Sequence, residues 1–139
     1  MPGCRCRCRR GTTVRLSRDG RRLADRNAHS VVRFDPDNFR ILHVAGEAAS
    51  RYPTESAMVE HFERIFAYVG IDFAEKTLFS DVLLPDAGTV RYMTTSLDSV
   101  KVVRVYEGSE GVFVGVDPEE AVPPLVDAVG EHLFEFRDR

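Results

Sequence analysis

The chain has 139 residues, of which 43% are hydrophobic and 29% are charged. This composition is typical of a folded domain, and it excludes a disordered chain, a collagen-like chain and a disulfide scaffold. Because a chain of this length supports one hydrophobic core, we expect a single domain. No apolar run approaches the roughly 18 residues of a membrane helix, and no leucine-rich signal segment opens the chain. We therefore expect a cytoplasmic protein with no membrane partner.

The net charge of −3 conceals two parts of opposite charge. Residues 1–28 hold nine arginines against two acidic residues, whereas residues 29–139 hold ten basic residues against twenty acidic ones. We predict a basic, disordered arm over residues 1–28 and one domain over residues 29–139. Because nucleic-acid affinity depends on Lys and Arg at the phosphates, we expect nucleic acid to bind through residues 1–28 if it binds at all. The acidic excess is also typical of halophilic proteins.

Three cysteines, Cys4, Cys6 and Cys8, alternate with arginines near the start of the chain. A structural zinc site needs four ligands, commonly from two Cys-x-x-Cys knuckles. This segment supplies three thiols and no second knuckle, so we predict no metal site. The repetitive composition of this segment favours an inert tail, or a translation start that is placed too far upstream. In the second case, Val14 is an alternative position for the start.

The first element predicted along the chain is a β-hairpin. Residues 31–34 and 39–44 are β-rich and flank residues 35–38, whose sequence Asp-Pro-Asp-Asn is typical of a type I turn. Two β-rich runs joined by such a turn indicate a pair of antiparallel strands.

Helical periodicity follows the hairpin. Apolar residues at positions 58, 62, 65, 66 and 69 predict an amphipathic helix. Thr54 or Ser56 can cap its start, and Gly70 stands where a left-handed residue ends a helix. Residues 71–84 fit a second helix or a strand, and we favour a helix ended by Pro85.

The last part of the chain predicts three strands and a helix. Residues 89–95, 100–106 and 112–117 are β-rich and separated by short turns, which indicates an antiparallel meander. Residues 117–120 suit the start of a helix that Pro123 and Pro124 kink or restart. The order ββα(α)βββα predicts an α+β fold, in which an antiparallel sheet of about five strands packs against helices.

This order resembles the profilin-like layout of roadblock/LC7 and longin domains. The resemblance covers residues 30–136 and is carried mostly by Tyr92-Met93-Thr94-Thr95, the next two strands and the closing helix. It implies a non-enzymatic platform that dimerises and serves beside small GTPases. The first helix of such a domain would come from residues 14–27, and residues 71–84 are an addition. The opening Val31-Val32-Arg33-Phe34-Asp35 is similar to that of small uncharacterised haloarchaeal proteins.

Residues able to carry chemistry are scattered along the sequence. The four histidines, at positions 29, 43, 61 and 132, have no convergent partners in the sequence. The chain has no Gly-x-Ser-x-Gly motif and no glycine-rich phosphate loop. We therefore expect no catalytic residue, no cofactor and no metal, and a protein that is not an enzyme.

Three functions stay open at this point. We favour a roadblock-like interaction domain that binds a second copy of itself, or another protein, through a sheet edge or a helix face. The alternatives are a PAS-like or GAF-like module that holds a small ligand, and a nucleic-acid-associated protein that acts through its arm. The residues predicted to line a ligand pocket or an interface are Phe62, Phe66, Tyr92, Val103 and Phe113.

Overall fold

A computed structural model describes residues 28–131, so residues 1–27 of the predicted arm and residues 132–139 lie outside the described residues. The helix predicted from residues 14–27 therefore also lies outside them. The strands are β1 (Ala28–Phe34), β2 (Phe39–Val44), β3 (Tyr92–Ser96), β4 (Lys101–Glu107) and β5 (Glu110–Val116). The α-helices are α1 (Gly46–Ala49), α2 (Glu55–Ala67), α3 (Val69–Leu78) and α4 (Val122–Val129). A π-helical turn (Phe79–Leu83) and a 3-10 turn (Pro85–Ala87) follow α3.

The five strands form one antiparallel sheet in the order β2-β1-β5-β4-β3. The hairpin β1–β2 and the meander β3–β4–β5 are joined through the pairing of β1 with β5. This arrangement confirms the predicted α+β fold with an antiparallel sheet of five strands. Among the described residues, β2 and β3 are the edge strands.

The turn of the first hairpin is held by Asp35. Its Oδ1 atom accepts hydrogen bonds from the backbone N–H groups of Asp37 and Asn38, each at 2.8 Å. The N–H group of Asp35 donates to the carbonyl of Asn38 at 2.9 Å. An aspartate that bonds the backbone two residues ahead stabilises a tight turn, and the predicted hairpin is confirmed.

Helix α2 begins as predicted but ends earlier. The Thr54 hydroxyl accepts a hydrogen bond from the N–H of Ala57 at 3.0 Å, which caps the first turn. The helix ends at Ala67, where Tyr68 leaves helical geometry (φ −101°, ψ 8°), and α3 begins at the buried Val69. The prediction that Gly70 ends the helix is wrong, because burial of Val69 draws the chain into a second helix that contains this glycine.

Residues 71–83 are helical, which confirms the favoured prediction. They continue α3 to Leu78 and then form the π-helical turn. The predicted start of the last helix is wrong, since α4 begins at Val122 rather than at Asp117. Pro123 and Pro124 occupy its first turn, where a missing N–H costs no hydrogen bond. They start the helix instead of kinking it.

The two faces of the sheet carry different cores. Helix α4 covers an aliphatic face of the sheet, which is made of valines from β1, β4 and β5. Leu125 and Val129 of α4 belong to the same buried cluster as these valines. Helices α2 and α3 cover an aromatic face, where Phe34 contacts Phe66 and Phe73 with ring centroids 5.3 and 5.9 Å apart. Because both faces are covered, the inner strands are apolar on both sides.

Candidate functional site

Strand β3 is an open edge of the sheet. Four of its five side chains are exposed, and only Met93 is half-buried. The carbonyl of Arg91 accepts from the N–H of Tyr106, and the N–H of Leu97 donates to the carbonyl of Val100. Because antiparallel partners alternate along a strand, Tyr92, Thr94 and Ser96 direct their N–H and C=O groups away from β4. No strand of the described residues pairs with this side of β3.

An apolar ridge, residues 78–84, begins at the last residue of α3 and precedes β3 in the chain. Leu78, Val82, Leu83 and Leu84 are each 44 to 64% exposed. The N–H of Leu84 donates to the carbonyl of Phe79 at 2.9 Å, which closes the π-helical turn. A π-helical turn is rare and often marks a functional position. Here it places three successive apolar side chains in solvent.

A cleft of about 310 Å³ lies where α2 meets α3 above strands β3 and β4. Its walls are mostly apolar and include Phe66 of α2 and Phe113 of β5, whose ring centroids are 5.2 Å apart. Asp72, Thr95 and Arg104 give it one polar side. Apolar walls with a few convergent polar groups are the usual composition of a binding cleft.

The polar side of the cleft is a hydrogen-bonded cluster that fastens α3 to β4. Oδ2 of Asp72 accepts from Nε of Arg104 at 3.1 Å and from the hydroxyl of Tyr106 at 2.5 Å. Nη1 of Arg104 donates to Oγ1 of Thr95 at 2.7 Å. Burial, followed by the hydrogen bond to Asp72 and the negative charge of that carboxylate, raises the pKa of Tyr106 far above its ordinary range. Tyr106 is therefore a neutral donor at any physiological pH.

Lys76 extends this contact toward the end of the sheet. Its Nζ atom donates to the carbonyl of Gly108 at 3.0 Å and lies 5.1 Å from the centre of the Tyr106 ring. Burial lowers the pKa of Lys76. Asp72 and Lys76 lie one turn apart on α3, so they fix both the position and the direction of this helix on the sheet.

Each histidine within residues 28–131 has a ring nitrogen within hydrogen-bond distance of a polar group of the fold. Nε2 of His29 lies 2.7 Å from Oδ1 of Asp117, and the hydroxyl of Tyr52 lies 2.6 Å from Nδ1 of His61. His43 is buried, with Nε2 at 3.3 Å from the carbonyl of Ala28, and burial lowers its pKa. Within residues 28–131, no three His, Cys, Asp or Glu side chains are grouped so that they could hold a metal ion.

A depression of about 400 Å³ adjoins the β1–β2 turn and the end of α2. Its polar lining is acidic, with Asp35, Asp37 and Glu63, and Asp35 already accepts two backbone hydrogen bonds there. The carboxylate that faces the turn is thus used to hold the hairpin together. The cleft between α2, α3 and the sheet is the better candidate for binding, since its apolar walls are accessible.

The structure distributes the five predicted site residues over both faces of the sheet. Phe62, Phe66 and Phe113 belong to the aromatic face under α2. Val103 belongs to the aliphatic face under α4, and Tyr92 shares that face because it pairs with Val105. The five residues therefore do not line one cavity, and only Phe66 and Phe113 line the cleft. Their role in binding a ligand or a partner stays a prediction.

Sequence reasoning missed the polar cluster of Asp72, Arg104 and Tyr106. A signal for it was present, since Asp72 and Lys76 are spaced by four on a helix and Arg104 and Tyr106 by two on a strand. Each spacing places two polar side chains on one face of its element. What the sequence does not show is that these two faces meet.

A family model described as "Domain of unknown function (DUF7522)" matches residues 15–134. The chain belongs to the DUF7522 family. The matched region of this DUF7522 chain includes the β3 edge, the apolar ridge and the cleft. It begins inside the segment predicted as a basic arm, whose boundary at residue 28 stays a prediction. No curated protein matches the chain.

Two solved structures share the fold of this DUF7522 chain. A roadblock/LC7 domain from Streptomyces avermitilis is 18% identical with a TM-score of 0.59, over 85% of this chain and 91% of that chain. MglB of Myxococcus xanthus is 15% identical with a TM-score of 0.58, over 84% of this chain and 80% of that chain. The resemblance to a roadblock-like small domain, predicted from the order of the elements, is thus confirmed at the level of the fold.

The described helices also bear on the membrane question. None of the helices within residues 28–131 combines the length and the apolar character needed to cross a membrane. The longest, α2, has 13 residues and carries charged side chains along its exposed side.

Proposed function

We propose that this DUF7522 chain is a non-enzymatic interaction domain that self-associates through the edge of β3. The observation that carries the proposal is the accessibility of this edge. The other edge strand, β2, buries Phe39, Ile41 and His43 and exposes the charged Arg40. Strand β3 instead exposes uncharged side chains and three outward-directed sets of backbone groups. Proteins normally protect such an edge, or use it to pair with another strand.

A second copy is the partner that fits the edge. Antiparallel pairing around a two-fold axis at Thr94 places Tyr92 of one copy opposite Ser96 of the other. These are the residues whose N–H and C=O groups point outward, so the two edges can form a hydrogen-bonded ladder. The same register places Arg91 opposite Leu97, one residue from Asp98. Two pairs of opposite charges then flank the ladder, one at each end.

The roadblock-like fold supports this proposal in a general way. Domains of the roadblock/LC7 kind, which the chain resembles, are expected to dimerise and to act as platforms for other proteins. The open edge of β3 supports self-association through this strand, and the register is part of the proposal. A cytoplasmic location and a halophilic character stay predictions that follow from composition. The nucleic-acid alternative rests on residues 1–28, of which only Ala28 is described, and it also stays a prediction.

The proposal is tested by the mass of the protein in solution. We expect light scattering in molar salt to give about twice the chain mass of 15.7 kDa. The variant Thr94→Pro removes one outward N–H group and places a proline ring on the edge, so we expect a folded monomer, because edge strands tolerate proline. The matched variant Thr94→Ala keeps the N–H group and should remain a dimer. A monomeric wild type, or a dimeric Thr94→Pro variant, would refute the proposal.

A further inference from the structure

The apolar ridge and the cleft lie at opposite ends of α3. The cleft adjoins the start of the helix, where Asp72 reaches Arg104. The ridge follows the end of the helix, where Lys76 reaches Gly108 in the turn between β4 and β5. That end of the sheet is also where β3 begins, because Arg91 bonds to Tyr106. The ridge therefore extends toward the end of the sheet where β3 begins, and the cleft, which Thr95 lines, lies toward the end where β3 finishes.

The two-fold pairing of β3 brings these features of different copies together. Antiparallel pairing places the start of one β3 beside the end of the other. A two-fold axis perpendicular to the sheet keeps α3 of both copies on the same side of the joined sheet. The ridge of each copy then lies beside the cleft of its partner. This step rests on the proposed function.

The chemistry of the two surfaces is complementary. The cleft has apolar walls and the guanidinium of Arg104, which is paired with Asp72, is 14% exposed and carries five N–H donors. The hydrogen bonds to Asp72 and Thr95 use Nε and Nη1 of that group. The ridge presents the exposed Val82 and Leu83 directly after Asp81, whose side chain is also exposed. Val82 and Leu83 can thus contact the apolar walls of a cleft, while the carboxylate of Asp81 contacts the guanidinium of Arg104.

We propose that the ridge of one copy docks in the cleft of a second copy, with Val82 and Leu83 against the apolar walls and the carboxylate of Asp81 on Arg104. The contact forms twice in the dimer. It covers side chains that are exposed in the single chain, including Tyr68 and Ile71 at the rim of the cleft. Each cleft is completed by its partner.

A pair of charge substitutions tests this contact. Val82→Glu alters the ridge, and Ile71→Glu alters the rim of the cleft. Both residues are 64% exposed, so neither substitution removes a buried contact from the single chain, and both variants should keep the circular dichroism spectrum of the folded wild type. Because each homodimer loses two contacts, we expect the dissociation constant to rise about 100-fold in either variant. Pro124→Glu is the matched control, since it places the same charge at an exposed position of α4, on the other face of the sheet.

Mixing the two variants gives the deciding result. In a mixed dimer, the Ile71→Glu copy supplies an intact ridge and the Val82→Glu copy supplies an intact cleft, so one contact is restored. We expect the mixture to associate about ten times more tightly than either variant alone. Failure of the mixture to recover would overturn the proposal, because two unrelated surface defects would then explain the single variants.

The electrostatic part of the contact has its own test. Asp81→Asn removes the carboxylate without changing the size of the side chain, and we expect the dimer to weaken about fivefold at low salt and less in molar salt. An unchanged dissociation constant at low salt would show that Asp81 does not reach Arg104, and it would overturn this docking geometry.

Failure of the inference and failure of the proposed function give different results. If Val82→Glu and Ile71→Glu dimerise like the wild type while Thr94→Pro is monomeric, the docking is wrong and pairing through β3 stands. If the wild type is monomeric, both proposals are wrong.

Discussion

Removal of one hydroxyl group, by Tyr106→Phe, tests whether the polar cluster holds α3 to the sheet. In the wild type this hydroxyl donates to Oδ2 of Asp72 at 2.5 Å, and the ring packs against Phe34 and Phe73. The substitution keeps the ring and its packing. It deletes only the hydrogen bond, and it leaves Asp72 with Arg104 as its remaining partner.

The size of the effect follows from the surroundings of the bond. A hydrogen bond to a charged group contributes about 1.5–3 kcal/mol to stability. The Asp72 side chain is 22% exposed, so water can replace part of the lost bond. We therefore expect a loss near the lower limit, about 1.5 kcal/mol, which lowers the melting temperature by about 5 °C in a chain of this size.

The pH dependence gives a second signature of the same bond. Because the folded-state pKa of Tyr106 is raised above the ordinary value of 10.0, the stabilisation is present below pH 10 and is lost as the pH rises further. The wild type should therefore lose stability above pH 10 more steeply than Tyr106→Phe does. Urea denaturation, followed by circular dichroism at pH 7 and pH 10.5, measures both effects.

An exposed tyrosine supplies the control. Tyr68 is 68% exposed, and Tyr68→Phe removes an identical hydroxyl group from the surface at the rim of the cleft. We expect it to change stability by less than about 0.5 kcal/mol. If Tyr106→Phe is as stable as this control at both pH values, the cluster does not hold α3, and the reasoning is refuted.

Three further predictions concern the rest of the fold. Burial lowers the pKa of His43 below 6.5, so stability should fall as the pH drops below 6.5, and His43→Leu should flatten that decline in urea titrations at pH 7 and pH 5. Thr54→Ala removes the cap of α2 and should cost about 1 kcal/mol by urea denaturation, whereas an unchanged midpoint would dismiss the cap. Gly111→Ala places a Cβ atom 2.5 Å from Cζ of the buried Phe34 and should lower stability by about 1–3 kcal/mol, while Gly46→Ala, which meets open space, should be tolerated in thermal melts.

Local signals in the sequence were sufficient for most of the elements. The hairpin could be predicted because Asp35 bonds its own turn, and α2 because Thr54 caps it and its apolar residues repeat at helical spacing. The meander could be predicted from short turns between β-rich runs. In each case the residues that decide the structure lie within a few positions of one another, so no distant contact has to be known.

Features that depend on distant contacts could not be predicted from the sequence. The end of α2 was misplaced because Val69, buried in the core, outweighs the preference of Gly70 for a helix end. The residues of the candidate site lie on two faces of the sheet. Strands β4 and β5 are covered on both faces, so their apolar pattern does not tell which helix covers Val103 and which covers Phe113. The polar cluster joins residues more than thirty positions apart.

The π-helical turn has a consequence for insertions and deletions in this segment. Each residue of an α-helix advances the side-chain direction by about 100°, and a π-helical turn accommodates one extra residue without shifting the helix that precedes it. Loss of a single residue from Phe79–Leu83 would therefore return the segment to α-helical winding and leave the direction of the side chains that follow it nearly unchanged. The same loss within α3, where no extra residue is absorbed, would rotate every following side chain by about 100°. Homologues that lack one residue of the π-helical turn should thus keep the surface that follows it, whereas homologues that lack one residue of α3 should present a different surface.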